Sequence, residues 1–277
     1  DFPAAISSRI DTGEWIRWFA LNAVLSNQEG GIHRDTGDDY FMYRPPGGRF
    51  ILLPWDMDST HLEAEERIFR PSLPAIRRLI THPDLAPLYF KAIAEVLESY
   101  FTPEDVARQA ALIEPAFGAD AVDAMVTFAR ERSAFIARSI PWRLTAGVAR
   151  DGWGSGRDLY ATTAAPVLAG TAPALETARV TVNGVEAAYV PWTASWTFDF
   201  RLQGPESRVR VAAWSASGSM IAARDAVVHR LDGGHVVSAL PPGKVEWSRD
   251  GSPYVVTGAV TVQKGSELLI GEGSRVI

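Results

Sequence analysis

The spacing of apolar residues changes character once along the chain, near residue 140. Before it they recur at helical spacing, and after it they alternate as strands do. Asp11-Thr12 with Glu14 predicts a helix start. Trp15, Trp18, Phe19, Leu21, Ala23, Val24 and Leu25 then cover so much of that helix that it is expected to be central and buried. Glycine and polar residues fill Ser26 to Asp39, a loop by composition. Two short apolar runs, Tyr40 to Tyr43 and Phe50 to Leu53, flank Arg44-Pro45-Pro46-Gly47-Gly48-Arg49 and predict a β-hairpin with a loose turn. The polar run from Ser59 to Arg70 predicts an exposed loop or an irregular helix. Three helices are expected next. The first starts at Pro83, and the second follows Thr102-Pro103-Glu104-Asp105, which joins an N-cap to a first-turn proline. The third carries Val122, Met125, Phe128 and Ile136 and ends at Pro141.

From Gly147 the pattern is that of strands. Ala161 to Pro173, rich in Ala, Thr and Pro, suits a linker or the start of a β domain. Asn183-Gly184 between apolar runs predicts a tight hairpin, because both residues accept the positive φ of a type I′ turn. Trp196 to Leu202 and Arg208 to Trp214 read as half-buried strands of a small sandwich. Tyr254 to Val262 and Glu267 to Ile270, either side of Lys264-Gly265, open another β unit. The expected fold class is α+β and multidomain. A mainly helical unit with a β-hairpin spans residues 1–145, a β-sandwich spans 146–231, and the start of a further β unit spans 232–277. Both ends read as truncations.

A chain of 277 residues has room for these units. Its net charge of -6 and the lack of any Lys/Arg cluster argue against a nucleic-acid partner. The absence of cysteine excludes a disulfide scaffold and any Cys-ligated zinc. No apolar run reaches the roughly 20 residues of a membrane span.

Acidic residues concentrate at the two ends of the predicted hairpin. Glu29, Asp35, Asp38 and Asp39 precede it, and Asp56 and Asp58 follow it. A hairpin returns the chain to its origin, so Asp39 and Asp56 are expected within several ångströms of each other. Converging carboxylates repel, and a hard cation such as Mg²⁺ or Mn²⁺ offsets that repulsion. Two readings stand at this level: solvated loop acids, or a divalent site of the kind phosphoryl transfer uses.

The order of these segments is specific. A helix leads to Asn27-Gln28-Glu29, a Gly-rich loop, Gly37-Asp38-Asp39-Tyr40-Phe41-Met42-Tyr43-Arg44, a Gly turn, and Phe50-Ile51-Leu52-Leu53-Pro54-Trp55-Asp56-Met57-Asp58. This resembles the spore-coat CotH-type atypical protein kinase family over roughly Asp11 to Ile140. Pro-Trp-Asp-x-Asp is its most specific element, and Phe128-Ala129-Arg130-Glu131-Arg132 is similar to the family's closing helix. The resemblance implies the carboxy-terminal lobe of a Ser/Thr kinase that uses ATP and a divalent metal on a secreted or surface protein, in an extracellular or cell-surface setting. It assigns Asp56 to the metal and nucleotide, with Asp58 beside it. Asp39 stands where the family usually has a metal-binding Asn, and Glu29 stands where it has the catalytic Asp. Glu is one methylene longer than Asp, a displacement of about 1 Å that can cost about 100-fold in rate. Asp35, within His33-Arg34-Asp35, is a second candidate base. The chain has no Gly-x-Gly-x-x-Gly, and its first lysine is Lys91 in a predicted helix, so the phosphate-covering loop and phosphate-pairing Lys of ordinary kinases are not found. The fragment alone is expected to be inactive. The competing expectation is an inactive kinase-like domain in a surface adhesion or scaffolding protein.

The β region carries no catalytic set. His229, His235 and Ser238 lack a nucleophile elbow, and Trp192, Trp196 and Trp214 read as core. This part resembles a bacterial Ig-like module, and the segment after Pro253 resembles the first turn of a right-handed β-helix.

Overall fold

The computed structural model describes residues 1–30, 39–69, 73–231, 235–256 and 258–277. The chain opens with α1 (Phe2–Ser7) and α2 (Thr12–Leu25). Asp11 caps α2 by accepting the Glu14 N–H at 3.2 Å. Trp15, Ile16, Trp18, Phe19, Ala20, Ala23 and Val24 are all buried, so α2 is the central helix its breadth of apolar positions predicts. The hairpin follows as β1 (Tyr40–Tyr43) and β2 (Ile51–Pro54), antiparallel, with Tyr40 opposite Pro54 and Tyr43 opposite Ile51. Phe50 fixes it to the start of α2. Its N–H donates to the Arg9 carbonyl at 2.8 Å, and its carbonyl accepts the Trp15 indole N–H at 2.9 Å.

Five further helices complete this unit among the described residues: α3 (Pro74–Ile80), α4 (Ala86–Ser99), α5 (Pro103–Ala110), α6 (Glu114–Phe117) and α7 (Ala119–Ser139). Thr102 caps α5, accepting the Asp105 N–H at 3.0 Å. The core is formed where α2 packs on α4 and α7, with Phe19, Val24, Tyr89, Phe90, Ile93 and Ile136 all inside.

Ten strands build the next unit. They are β3 (Gly147–Arg150), β4 (Gly152–Trp153), β5 (Asp158–Ala161), β6 (Val167–Thr171), β7 (Arg179–Val182), β8 (Val185–Glu186), β9 (Ala188–Val190), β10 (Ser195–Asp199), β11 (Glu206–Trp214) and β12 (Met220–Arg230). They form two sheets, ordered β3-β6-β10-β9 and β4-β5-β12-β11-β7-β8. Leu168 and Trp196 of the first sheet share a core with Leu159, Val180, Val211 and Val228 of the second, which makes the unit a β-sandwich. Asn183 and Gly184 join β7 to β8 with φ of 50° and 83°, as the dipeptide requires.

The last segment pairs differently. β13 (His235–Val237) runs parallel to β15 (Tyr254–Val256), β14 (Lys244–Trp247) runs parallel to β16 (Glu267–Ile270), and Tyr254 forms a further parallel bridge to Val276. Each strand therefore lies beside one from a later turn of the chain.

The expectation of mainly helical structure needs correcting at the scale of the chain. Helices and strands occupy similar shares, because every described helix ends by Ser139 and the two later segments are built of strands. The junction at residues 140–146 is fastened to the sandwich. The Ala174 N–H donates to the Pro141 carbonyl at 2.9 Å, and Ala174 and Ala194 pack into the helical core.

Candidate functional site

The candidate site lies where α2 ends and the hairpin closes. Ser26 stops α2 by taking a left-handed backbone (φ 50°), and the Asn27 N–H reaches back to the Asn22 carbonyl at 3.0 Å. Asn22 and Asn27 are both buried and bonded to each other at 2.8 Å, and the Asn27 carbonyl oxygen of the side chain accepts the Glu29 N–H at 3.0 Å. This fixes the direction in which Glu29 leaves the helix.

The segment after β2 is tied onto that loop. The Gln28 N–H donates to the Ser59 carbonyl at 2.9 Å, and the Ser59 hydroxyl donates to Glu29 Oε2 at 2.7 Å. The same hydroxyl lies 3.4 Å from Asp58 Oδ1, so one serine stands between two exposed carboxylates. Asn27 Nδ2 also meets Met57 Sδ at 3.5 Å. At the mouth of the hairpin the Trp55 N–H donates to the Asp39 carbonyl at 3.1 Å. That bond sets Asp39, which is buried, next to the residue preceding Asp56. Asp56 is exposed and left-handed (φ 45°), so the chain turns sharply at this carboxylate.

The hairpin thus brings Asp39 beside Trp55-Asp56, and Ser59 brings Glu29 beside Asp58. Asp35, with Asp38, lies outside the described residues. Among the described residues no three His, Asp or Glu side chains converge closely enough to hold a metal ion. Asp39, Asp56 and Asp58 therefore do not fit a divalent centre by themselves.

Beneath the loop lies a polar support that periodicity gave no reason to select. Glu66 is buried, and its Oε2 accepts the Ser26 hydroxyl at 2.8 Å and Gln28 Nε2 at 3.3 Å. Arg132 of α7 is fully buried. Its guanidinium donates to the carbonyls of Ala23, Val24, Ala64 and Glu66, joining the open end of α2 to the segment that carries Glu66. Burial lowers the Arg132 pKa, and the Glu66 carboxylate opposes that shift. Both residues are polar letters in polar stretches. The one sequence signal is Arg132 itself, an arginine on a helix whose neighbours Phe128 and Ile136 face the core.

Residues 1–124 match the CotH kinase protein family model. The match includes α2, the hairpin and the acidic residues on both sides of it, and it ends inside α7, before Arg132. It covers less than half of the chain, so the CotH likeness belongs to the helical unit. No curated protein matches the chain. No described helix is long and apolar enough to cross a membrane.

Proposed function

We propose that the helical unit is the carboxy-terminal lobe of a CotH-type atypical Ser/Thr protein kinase, which transfers the γ-phosphate of ATP to a secreted or surface protein outside the cell. The observation that carries this reading is the fastening of residues 27–29 onto residues 57–59. In phosphoryl transfer the base that orients the acceptor hydroxyl and the carboxylates that face the nucleotide's metal must be held in one place. Here Ser59 links those two segments directly. Glu29 already accepts a hydroxyl hydrogen bond at 2.7 Å, the contact a base makes with a Ser or Thr acceptor. Asp39, Asp56 and Asp58 are the residues assigned to a nucleotide-bound Mg²⁺ or Mn²⁺. That ion would need oxygen donors from the nucleotide or from residues beyond the described set. The sandwich is proposed to be an Ig-like module that presents the helical unit at a surface.

A second reading is supported by the same bond seen from the other side. Glu29 is occupied by Ser59, and the described acids do not converge on a cation. Those are features of a kinase-like domain retained as a scaffold. Thermal unfolding with Mg²⁺ or Mn²⁺, with and without ATP, tests the first. A ligand at about 100 times its Kd adds about 2.7 kcal/mol to the folded state. The kinase reading expects metal with ATP to raise the Tm of the parent but not of Asp56→Asn. No response in either protein leaves two accounts, a scaffold or a site that needs a phosphate-covering loop and lysine these 277 residues lack, and the same titration on a longer chain carrying those elements decides between them.

A further inference from the structure

His229 of β12 has no part in the phosphoryl-transfer reading. Val228 beside it points into the sandwich core, so alternation puts the His229 ring on the outer face of the six-stranded sheet. The ring is nevertheless only 12 % exposed. Its Nδ1 lies 2.9 Å from Glu206 Oε1 of β11, and its Nε2 lies 3.0 Å from Asp158 Oδ1 of β5. Tyr160 of β5 stacks on it at 5.3 Å, and Trp153 of β4 stacks on Tyr160 at 6.0 Å. One imidazole thus joins three neighbouring strands.

The number of protons on the ring decides what these contacts are. An ionised carboxylate only accepts, and a neutral imidazole has one N–H and one lone pair. Both contacts are hydrogen bonds only while the ring carries two protons. With one, a lone pair faces a carboxylate oxygen. No other cation takes over, since neither Asp158 nor Glu206 has an Arg or Lys partner among the described residues. Arg157, Arg208 and Arg230 are the charges nearest along these strands, and Arg210 is paired with Asp225 at 3.3 Å. The two arms also differ. Glu206 is the direct register partner of His229, whereas Asp158 stands opposite Val227 and reaches the ring diagonally. The Asp158 arm holds β5, whose other neighbour in the sheet is the two-residue edge strand β4.

Histidine is the side chain whose charge ordinarily changes between pH 5 and pH 8. We propose that His229 is a proton-operated clasp. With two protons it ties β5 and β11 to β12. On losing one as pH rises it keeps Glu206, releases Asp158 and loosens the β4–β5 edge of the sandwich.

Hydrogen–deuterium exchange of residues 152–161, measured in the whole chain at about pH 5.5 and about pH 8.5, tests the clasp. The first value falls between the ordinary carboxylate and imidazole ranges, and the second lies above both. His229→Gln offers one donor and one acceptor, so it imitates the singly protonated ring at every pH. At the lower pH this segment should exchange about three- to fivefold faster in His229→Gln than in the parent, the ratio expected of one exposed charged pair. At the higher pH the two should match. Comparing the proteins at one pH removes the effect of pH on exchange chemistry itself. Asp158→Asn gives the neutral ring's lone pair an N–H to accept, so at the higher pH its segment should exchange more slowly than the parent's. Unchanged exchange of α2 reports that each variant is folded. A His229→Gln ratio that is the same at both pH values overturns the clasp. So does an Asp158→Asn segment no slower than the parent's at the higher pH.

Discussion

His61 shows how one side chain couples this fold to pH. Its ring stacks on Phe101 at 6.1 Å and meets Phe128 edge-on at 4.9 Å, while the residue's backbone N–H donates to the Leu25 carbonyl at the end of α2. Burial lowers its pKa below the ordinary 6.5. The unfolded chain then takes up a proton more readily than the folded one. The stability this residue contributes is full above about pH 6.5 and is lost as pH falls through the folded value. The melting temperature should therefore drop between pH 7.5 and pH 5. Asn tolerates the left-handed backbone at this position (φ 63°), so His61→Asn should melt lower throughout but with a shallower pH slope. Equal slopes would remove His61 from the account. Other residues differ in how far the sequence exposed them. The meeting of Asp39 with Trp55-Asp56 was legible, because a hairpin must return the chain to its start. The role of Ser59 was not, since a serine in a polar run carries no period and its partners are fixed only when the loop folds back.

The elements around α2 depend on a single cation from a distant helix. Removing the Arg132 guanidinium would take a donor from the Val24, Ala64 and Glu66 carbonyls and leave the Ala23 carbonyl with only the Ser26 N–H at 3.3 Å. Arg132→Met is therefore expected to cost about 3 kcal/mol or more in chemical denaturation. Arg132→Lys should recover little, because a compact ammonium cannot span four carbonyls as a planar fork does. A loss below about 1 kcal/mol would mean that water satisfies these groups. Long, strongly patterned elements were readable at this scale: α2, α5, α7, the first hairpin and the Asn183-Gly184 turn. Short or weakly patterned ones were not. In α3, Arg77 and Arg78 interrupt a seven-residue helix that offers barely two turns of period. α4 begins at Ala86 rather than Pro83, with Pro87 taking the first-turn place. β6 reads Val-Leu-Ala-Gly-Thr, whose small residues left a linker and the start of a β domain equally open. Its Gly170 is needed where a Cβ would lie 2.1 Å from the Thr145 carbonyl oxygen.

The whole molecule is more continuous than its change of pattern suggests. The pattern shifts near residue 147, yet Ala174 and Ala194 enter the helical core and Trp192 meets Phe69 edge-on at 6.4 Å. Contacts between distant surfaces leave no periodic trace in either sequence, which is why the junction was not legible. The helical unit and the sandwich should unfold together in calorimetry. Ala174→Arg, placing a charge at a fully buried position, should split that transition into two. A single transition at lower temperature would show that the coupling runs elsewhere. The same kind of long-range contact also imposes an order in time. Arg132 reaches the Ala23 carbonyl across 109 positions of chain. At roughly 5 to 20 residues per second, a ribosome delivers the guanidinium about 5 to 20 seconds after the carbonyls that need it. During synthesis, then, the loop bearing Glu29 is among the first parts of this unit to emerge and among the last to be completed.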